Sequence, residues 1–366
     1  MLNSLVMNSQ NNTKPNAYLS EKQEVLSWWR MLCQSLQHNR QRVLVNLKGE
    51  RRWCLDMLAL LPDIENSFCL SNLDDLPQAV PFSKADGLLG LEADVVIVDN
   101  FSGMNIDVLC MAAGLVRATG LLILLSPGES ESTDDPYGRW QGISASHPYF
   151  GHYFDQAIAQ GGMPLLVEHE DLPQIPQLTS SMLTSIEGGF SPEQLQVLAQ
   201  LKSWASTGKE PLFLLSADRG RGKSTTLGMF AEYIADNHRV VVSAASRKQA
   251  VTLLQQLKRH AGKVKFLSPD EIIRRGERMP WLVIDEAAMI PHNLLQLCLS
   301  LADKTAMATT TGGYEGTGQG FMLKFVERLE SSHYVHAKLR APIRWGEQDI
   351  LEHWINRVLM LKPRVP

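Results

Sequence analysis

The chain has 366 residues, 44% of them hydrophobic and 20% charged, and its 35 Lys/Arg against 39 Asp/Glu leave a formal net charge of −4. That composition excludes disordered, collagen-like and coiled-coil classes, and the length leaves room for two or three domains with large cores. A mildly acidic chain is not a generic polyanion binder. After a polar, Asn-rich start expected to fray, Glu21 to Gln37 reads as a helix and Arg42 to Lys48 as a strand. A helix follows near Trp53 to Leu61, then strands at Ser67 to Ser71 and Asp94 to Asp99. A helix from about Asn105 to Arg117 leads into the apolar run Leu121 to Leu125. Short apolar runs alternating with helices predict a parallel sheet covered on both faces.

Residues 126 to 150 are rich in turn formers and read as a long surface connection, and Pro173 to Gln177 as a linker. At Ser191-Pro192-Glu193-Gln194 a new series opens, with a capping serine and a first-turn proline. Strands are expected at Leu212–Leu215, Arg239–Ser243, Val264–Leu267, Trp281–Asp285 and Thr305–Thr309, and a last helix at Gln348–Leu361. The fold class is therefore α/β with two RecA-like or Rossmann-like parallel-sheet domains. Residues 1–20 are expected to be a flexible N-terminus, 21–175 the first domain and 176–366 the second.

Charge divides along the same boundary. Asp56 to Asp107 holds ten acids and one lysine, whereas Ala217 to Arg278 holds thirteen Lys/Arg and six Asp/Glu. The second domain thus carries the potential to bind anions. Cys33, Cys54, Cys69, Cys110 and Cys298 are scattered without a CxxC pair, and the ten histidines form no HExxH, so neither a disulfide framework nor a zinc site is expected. The N-terminus lacks the basic and apolar regions of a signal peptide, and no apolar run nears the ~18 residues that span a bilayer. A cytoplasmic location is expected.

The most informative segment is Ala217-Asp218-Arg219-Gly220-Arg221-Gly222-Lys223-Ser224, between an apolar strand ending at Ser216 and a helix. Strand, glycine loop and helix in that order form a P-loop, in which small glycines let backbone N–H groups close round phosphate oxygens. Lys223 would reach the β- and γ-phosphates of a nucleotide, Ser224 would ligate Mg²⁺, and Thr225 would lie beside the phosphates. Ala217 stands where the strict pattern has glycine. Sixty residues on, Trp281 to Ile284 ends in Asp285 and Glu286, an apolar strand delivering two carboxylates to its C-terminal edge. Asp285 would hold Mg²⁺ and Glu286 would orient or deprotonate the attacking water. Gln194 carries an amide able to read adenine. Thr309-Thr310-Thr311 precedes a glycine-rich loop and is placed to sense the γ-phosphate, and Arg340 and Arg344 are candidates to stabilise transition-state charge.

ADRGRGKS, the strand ending in DEAAMIP, the GYEGTGQGF loop and PIRW together resemble the bacterial tRNA(Met) cytidine acetyltransferase family. Leu88-Leu89-Gly90, DVVIVD and the stretch Leu115 to Pro127 resemble that family's leading domain. The resemblance implies an RNA-helicase-like ATPase module joined to an acetyltransferase of the GNAT type. Together they N4-acetylate the wobble cytidine of elongator tRNA(Met) with acetyl-CoA and ATP. It further implies an ATP site of Gln194, the loop Ser216 to Thr225 and Arg344, with Asp285 and Glu286 in the acidic-strand positions. Ser243 to Arg247 would touch the RNA backbone.

No acetyl-CoA signature falls in a plausible place, so residues 1–366 are expected to hydrolyse ATP without transferring acetyl groups. A basic run of Arg247, Lys248, Lys258, Arg259, Lys263, Lys265, Arg274, Arg275 and Arg278 would neutralise RNA phosphates. Two other readings remain open on the sequence: a different nucleic-acid-dependent P-loop ATPase, or a non-catalytic module that holds tRNA or a partner.

Overall fold

The computed structural model describes residues 15–62, 66–73, 75–76, 78–88, 91–128, 149–180, 189–257, 262–311, 321, 325 and 334–361, with side chains from residue 22 and, in the helix that opens at 149, from residue 153. Residues 1–14 of the expected flexible N-terminus, most of the 126–150 connection, Leu89, Gly90, Lys258, Arg259 and the glycine-rich loop at 312–320 lie outside the described residues, whereas residues 15–20, also expected to be flexible, open the first helix.

The chain divides into two compact units, Met1–Leu183 with Trp345–Pro366, and Thr184–Arg344. The first unit runs α1 (Pro15–Asn39), β1 (Val43–Gly49), α2 (Arg51–Leu58), β2 (Ser67–Leu70), β3 (Ala93–Asp99), α3 (Ile106–Leu115), β4 (Val116–Pro127), α4 (Tyr149–Gln160) and β5 (Leu165–Val167). Its five strands are parallel in the order β2-β3-β4-β1-β5. Val43, Leu44, Val45 and Leu47 of β1 and Leu122 to Leu125 of β4 are all fully buried, the mark of a sheet with both faces covered.

The second unit runs α5 (Pro192–Thr207), β6 (Leu212–Ala217), α6 (Lys223–Ala235), β7 (Val240–Ser243), α7 (Val251–Gln256), β8 (Val264–Phe266), α8 (Pro269–Arg275), β9 (Met279–Ile284), α9 (His292–Ser300), β10 (Ala302–Thr310) and β11 (Tyr334–Leu339). These six strands are parallel too, in the order β11-β6-β10-β9-β7-β8. Successive strand residues face opposite layers. Phe213, Leu215, Trp281 and Val283 join the core under α5, α6 and α7, while Leu212, Leu214, Leu282 and Ile284 join the core under α8 and α9. From β6 the chain crosses β10 and β9 to reach β7, which makes the C-terminal edge of β6, β10 and β9 a topological switch point, where open α/β sheets hold ligands.

A last helix, α10 (Ile350–Val358), was expected with the second domain, but it packs in the first unit. Its buried stripe Leu351, Trp354, Ile355 and Val358 explains why. Trp354 packs edge-on against Phe154 and donates to the carbonyl of Ala157 at 2.9 Å, and Tyr153 donates to the carbonyl of Val358 at 2.8 Å. Asp349 caps the helix by accepting from the Glu352 N–H at 2.8 Å, and it also receives Arg42 Nε and Nη2 at 3.1 and 2.8 Å. The Arg42 guanidinium lies 3.6 Å from the Trp345 ring centroid and donates to the carbonyls of Ala113 and Val116, so a fully buried charge is matched on every side. Other differences are local. Val116 and Arg117, expected in the helix, begin β4, and β5, α4 and β11 were not expected at all.

Candidate nucleotide site

Ala217 ends β6, paired to Thr310 on one side and Leu339 on the other, and its methyl is fully buried. The alanine at the first loop position is thus a strand residue and needs no glycine. The turn itself does: Gly220 and Gly222 have φ of 73° and 79°, a left-handed backbone that favours glycine. A Cβ on Gly222 would also strike the Gln194 amide, and Ile343 Cδ1 at 2.8 Å. The loop is tied down from behind, with the Ile343 N–H donating to the Gly220 carbonyl at 2.9 Å and Arg221 donating to the carbonyls of Arg219 at 2.7 Å and Arg340 at 3.2 Å. Lys223 opens the 13-residue helix α6, whose N-terminus faces the loop with partial positive charge.

The acidic strand delivers its carboxylates to the same place. Asp285 is fully buried; its Oδ1 accepts from the Glu286 N–H at 3.1 Å, the Ser224 hydroxyl bonds to it, and its Oδ2 has no hydrogen-bond partner. Burial, and then the neighbouring Glu286 carboxylate, push its pKa up to about 6, against the opposing pull of Lys223 and Ser224. Glu286 has the reverse balance: burial opposes its charge, but Lys223 Nζ at 2.6 Å and the Thr310 hydroxyl outweigh it and hold its pKa below the usual value. Its backbone sits in the left-handed region at φ 48° and ψ 54°.

Gln194, expected to read adenine, is engaged within the protein. With Ser191 it closes a capping box, its Oε1 accepting the Ser191 N–H at 2.9 Å and its N–H donating to Ser191 Oγ at 3.2 Å. Its Nε2 donates to the Gly222 carbonyl at 3.2 Å and to Thr226 Oγ1 at 3.3 Å, so a buried amide ties α5 to the glycine turn. The S-x-x-Q pattern before an apolar run was the available signal. Glu193, not singled out from sequence, accepts the N–H groups of Arg340 and Ala341 at 2.9 Å each. His336 on β11, also unanticipated, lies 2.7 Å from Ser216 Oγ. Ser224 and Thr225 are half-buried at the start of α6, Asp218 accepts the Thr311 hydroxyl at 3.0 Å, and the half-buried Arg344 closes the second unit beyond β11.

Much of the basic run is engaged locally. Arg274 and Arg275 pair with Glu271 at 2.7 Å each, Arg278 pairs with Asp303 at 3.1 Å, and Arg247 lies over the Phe266 ring. Surface pairs of this kind are worth little and can be exchanged for phosphates. Ala245 to Lys248, after β7, are exposed.

The first unit has a strand, turn and helix at β1 and α2, but a carboxylate already occupies the anion position there. The Glu50 N–H donates to Glu168 Oε2 at 2.6 Å, and a Cβ on Gly49 would meet that oxygen at 2.7 Å. Among the described residues the glycine loop backed by an acidic strand belongs to the second unit.

One strand, β10, separates the loop strand from the acidic strand, and glycine loop, lysine and paired acids converge on their shared edge: the second unit is a P-loop NTPase fold of the RecA-like kind. Comparison with known proteins narrows the class. The model of the tRNA(Met) cytidine acetyltransferase TmcA N-terminal family matches residues 18–165, and that of the RNA cytidine acetyltransferase NAT10/TcmA helicase domain matches 214–362. The chain belongs to the tRNA(Met) cytidine acetyltransferase family. It is 34% identical over 293 residues to the tRNA(Met) cytidine acetyltransferase TmcA of Haemophilus influenzae, covering 77% of this chain and 43% of that protein. With the protein of the same name from Pectobacterium atrosepticum it shares 31% identity over 334 residues, covering 87% of this chain and 46% of that one. The chain therefore spans about half the length of the curated relatives it matches. The large terminase of a thermophilic bacteriophage aligns with 46% of this chain and 50% of its own at TM-score 0.36 and 14% identity, too slight a likeness to bear on function. Among the described residues no helix is long and apolar enough to cross a membrane.

Proposed function

We propose that the second unit binds ATP with Mg²⁺ and hydrolyses it, as the helicase-like ATPase module of a tRNA(Met) cytidine acetyltransferase. The observation that carries this reading is the buried Asp285 Oδ2, left without a partner beside the Ser224 hydroxyl. An unpaired carboxylate oxygen is costly to bury, and the hard oxygen pair it forms with a serine hydroxyl suits Mg²⁺. The residues present thus fit the nucleotide and its cation. Mg²⁺ would supply charge neutralisation at the phosphates.

The protein's own groups do the rest. The turn Asp218 to Gly222 and the first turn of α6 cradle the phosphates, and Ser216, Ala217 and Thr225 frame that cradle. Lys223 would exchange Glu286 for phosphate oxygens, and Ser224 and Asp285 would hold the cation. Glu286, released from the lysine, accepts the proton of the attacking water, while Arg344 offsets charge on the transferred phosphoryl group. Gln194 would have to give up its Gly222 and Thr226 contacts to reach an adenine; in the state described it braces the loop.

The substrate under this reading is tRNA, with tRNA(Met) in the relatives' name and its elongator form implied by the sequence resemblance. The exposed turn after β7 and the basic residues beyond it supply salt-dependent, sequence-blind phosphate contacts. Acetyl transfer is the further activity that the relatives' name gives to the whole protein.

The test is steady-state ATP hydrolysis by the chain, alone and with elongator tRNA(Met) or a non-cognate tRNA. Lys223→Ala should abolish turnover, and Glu286→Gln should bind ATP yet lower kcat by at least ~100-fold, the usual weight of a general base. Wild-type turnover by Glu286→Gln would refute the assignment of the base. No turnover by the unaltered chain under any of these conditions would refute the ATPase reading.

A further inference from the structure

The C-terminal end of β10 carries two adjacent threonines that tie the acidic strand to the glycine loop. Thr310 Oγ1 lies 2.9 Å and 2.8 Å from the two carboxylate oxygens of Glu286. Thr311 Oγ1 donates to Asp218 Oδ1 at 3.0 Å, and the Thr311 N–H donates to the Ala217 carbonyl at 3.0 Å. Since β10 is the strand between β6 and β9, its end is the place from which consecutive residues reach both motifs. Thr310 is 6% exposed, and its branched side chain is stiff about χ1, so the hydroxyl is held where it stands.

Glu286 needs such a tether. It sits on a left-handed backbone at the end of a strand, and two χ torsions separate its Cβ from the carboxylate plane. In the state described, Lys223 holds one carboxylate oxygen at 2.6 Å. That lysine is the group the ATPase reading sends to the phosphates. Once it leaves, the Thr310 hydroxyl remains on the carboxylate, and a base that drifts by an ångström loses most of its effect on a bound water.

We propose that Thr310 is a positioning residue: it keeps the Glu286 carboxylate aligned to receive the water's proton after Lys223 has passed to the nucleotide. The inference rests on the ATPase reading. Thr310 acts through Glu286 and not on the reacting atoms, and the pairing with Thr311 keeps the base and the phosphate loop in fixed relation.

Thr310→Val keeps the shape and removes the hydroxyl. In the full chain it should lower kcat by ~10- to 100-fold, part of what a general base contributes. The Kd for a fluorescent, non-hydrolysed ATP analogue and the thermal midpoint should stay at wild-type values. Thr310→Ser, which restores the oxygen, should recover most of kcat. Wild-type kcat in Thr310→Val, with Glu286→Gln inactive in the same assay, would overturn this proposal alone. Loss of analogue affinity and thermal midpoint in step with kcat would make Thr310 a fold residue and overturn it too. Full activity in Glu286→Gln would instead show the reading of the site itself to be wrong, and this inference would fall with it.

Discussion

At the scale of single residues, environment decides what each ionisable group does. Asp285 and Glu286 are neighbours, yet one has its pKa raised and the other lowered, because burial and then the Glu286 carboxylate prevail at the first, whereas the Lys223 ammonium and the Thr310 hydroxyl outweigh burial at the second. Cys69 makes the same point away from the site. Burial, and then the Asp99 carboxylate, raise its pKa to about 12 against the opposing Arg51. A raised thiol pKa means less thiolate, the reactive form, at any given pH. At pH 8.5, where an unfolded cysteine is about half ionised, Cys69 in the native chain should alkylate with iodoacetamide at least ~100-fold more slowly than in urea. Site-resolved mass spectrometry measures both rates, and equal rates would contradict the assigned environment. These residues also show the limit of sequence. That Lys223, Ser224, Asp285 and Glu286 come together was legible because strand, glycine loop and paired acids are local patterns. The Gln194 brace and the Ser216–His336 contact were not, since their partners lie 28 and 120 positions away.

At the scale of elements, α10 shows how a short helix is held. Asp349 serves it twice, as the cap of its first turn and as the partner of a buried arginine. A capping residue contributes about 1 kcal/mol, whereas breaking a buried ion pair costs about 3–5 kcal/mol, because the surviving charge is stranded. Asp349→Ala is therefore expected to destabilise the first unit by about 3–5 kcal/mol, dominated by the abandoned Arg42. Urea denaturation followed by tryptophan fluorescence would register it, and a change under about 1 kcal/mol would mean that the pair behaves as a surface one. The central strands were readable because β4, β6 and β9 carry continuous apolar runs, Leu121–Leu125, Leu212–Leu215 and Trp281–Ile284. By contrast, β11 reads Tyr-Val-His-Ala-Lys-Leu, with exposed polar positions alternating with buried ones at the sheet edge, and β5 is three residues long. Such edge strands carry too little apolar signal to stand out.

At the scale of the whole molecule, the chain leaves the first unit after Leu183 and rejoins it at Trp345, so the second unit is an insertion in sequence terms. Trp345 and α10 belong to the core of the first unit, whereas the candidate nucleotide site is built from residues 191 to 344. A chain ending at Arg344 should therefore lose much of the first unit's stability, with Leu351, Trp354, Ile355 and Val358 removed from its core. It should still bind an ATP analogue at the second unit. Limited proteolysis and analogue titration distinguish the two effects, and a resistant first unit would show that α10 adds little to it.

The sequence by itself determined the class of both units and where the candidate nucleotide site is placed, because binary pattern, glycine spacing and strand-end acids are properties of consecutive residues. Tertiary structure alone decided that PIRW straddles two units, with Arg344 closing one and Trp345 stacking on Arg42 in the other. It also decided that Glu168 fills the anion position at β1 and that Thr310 reaches Glu286. Those outcomes depend on which strands become neighbours in each sheet. Contacts across a sheet join residues that lie tens or hundreds of positions apart, and no periodicity along the chain records such partners.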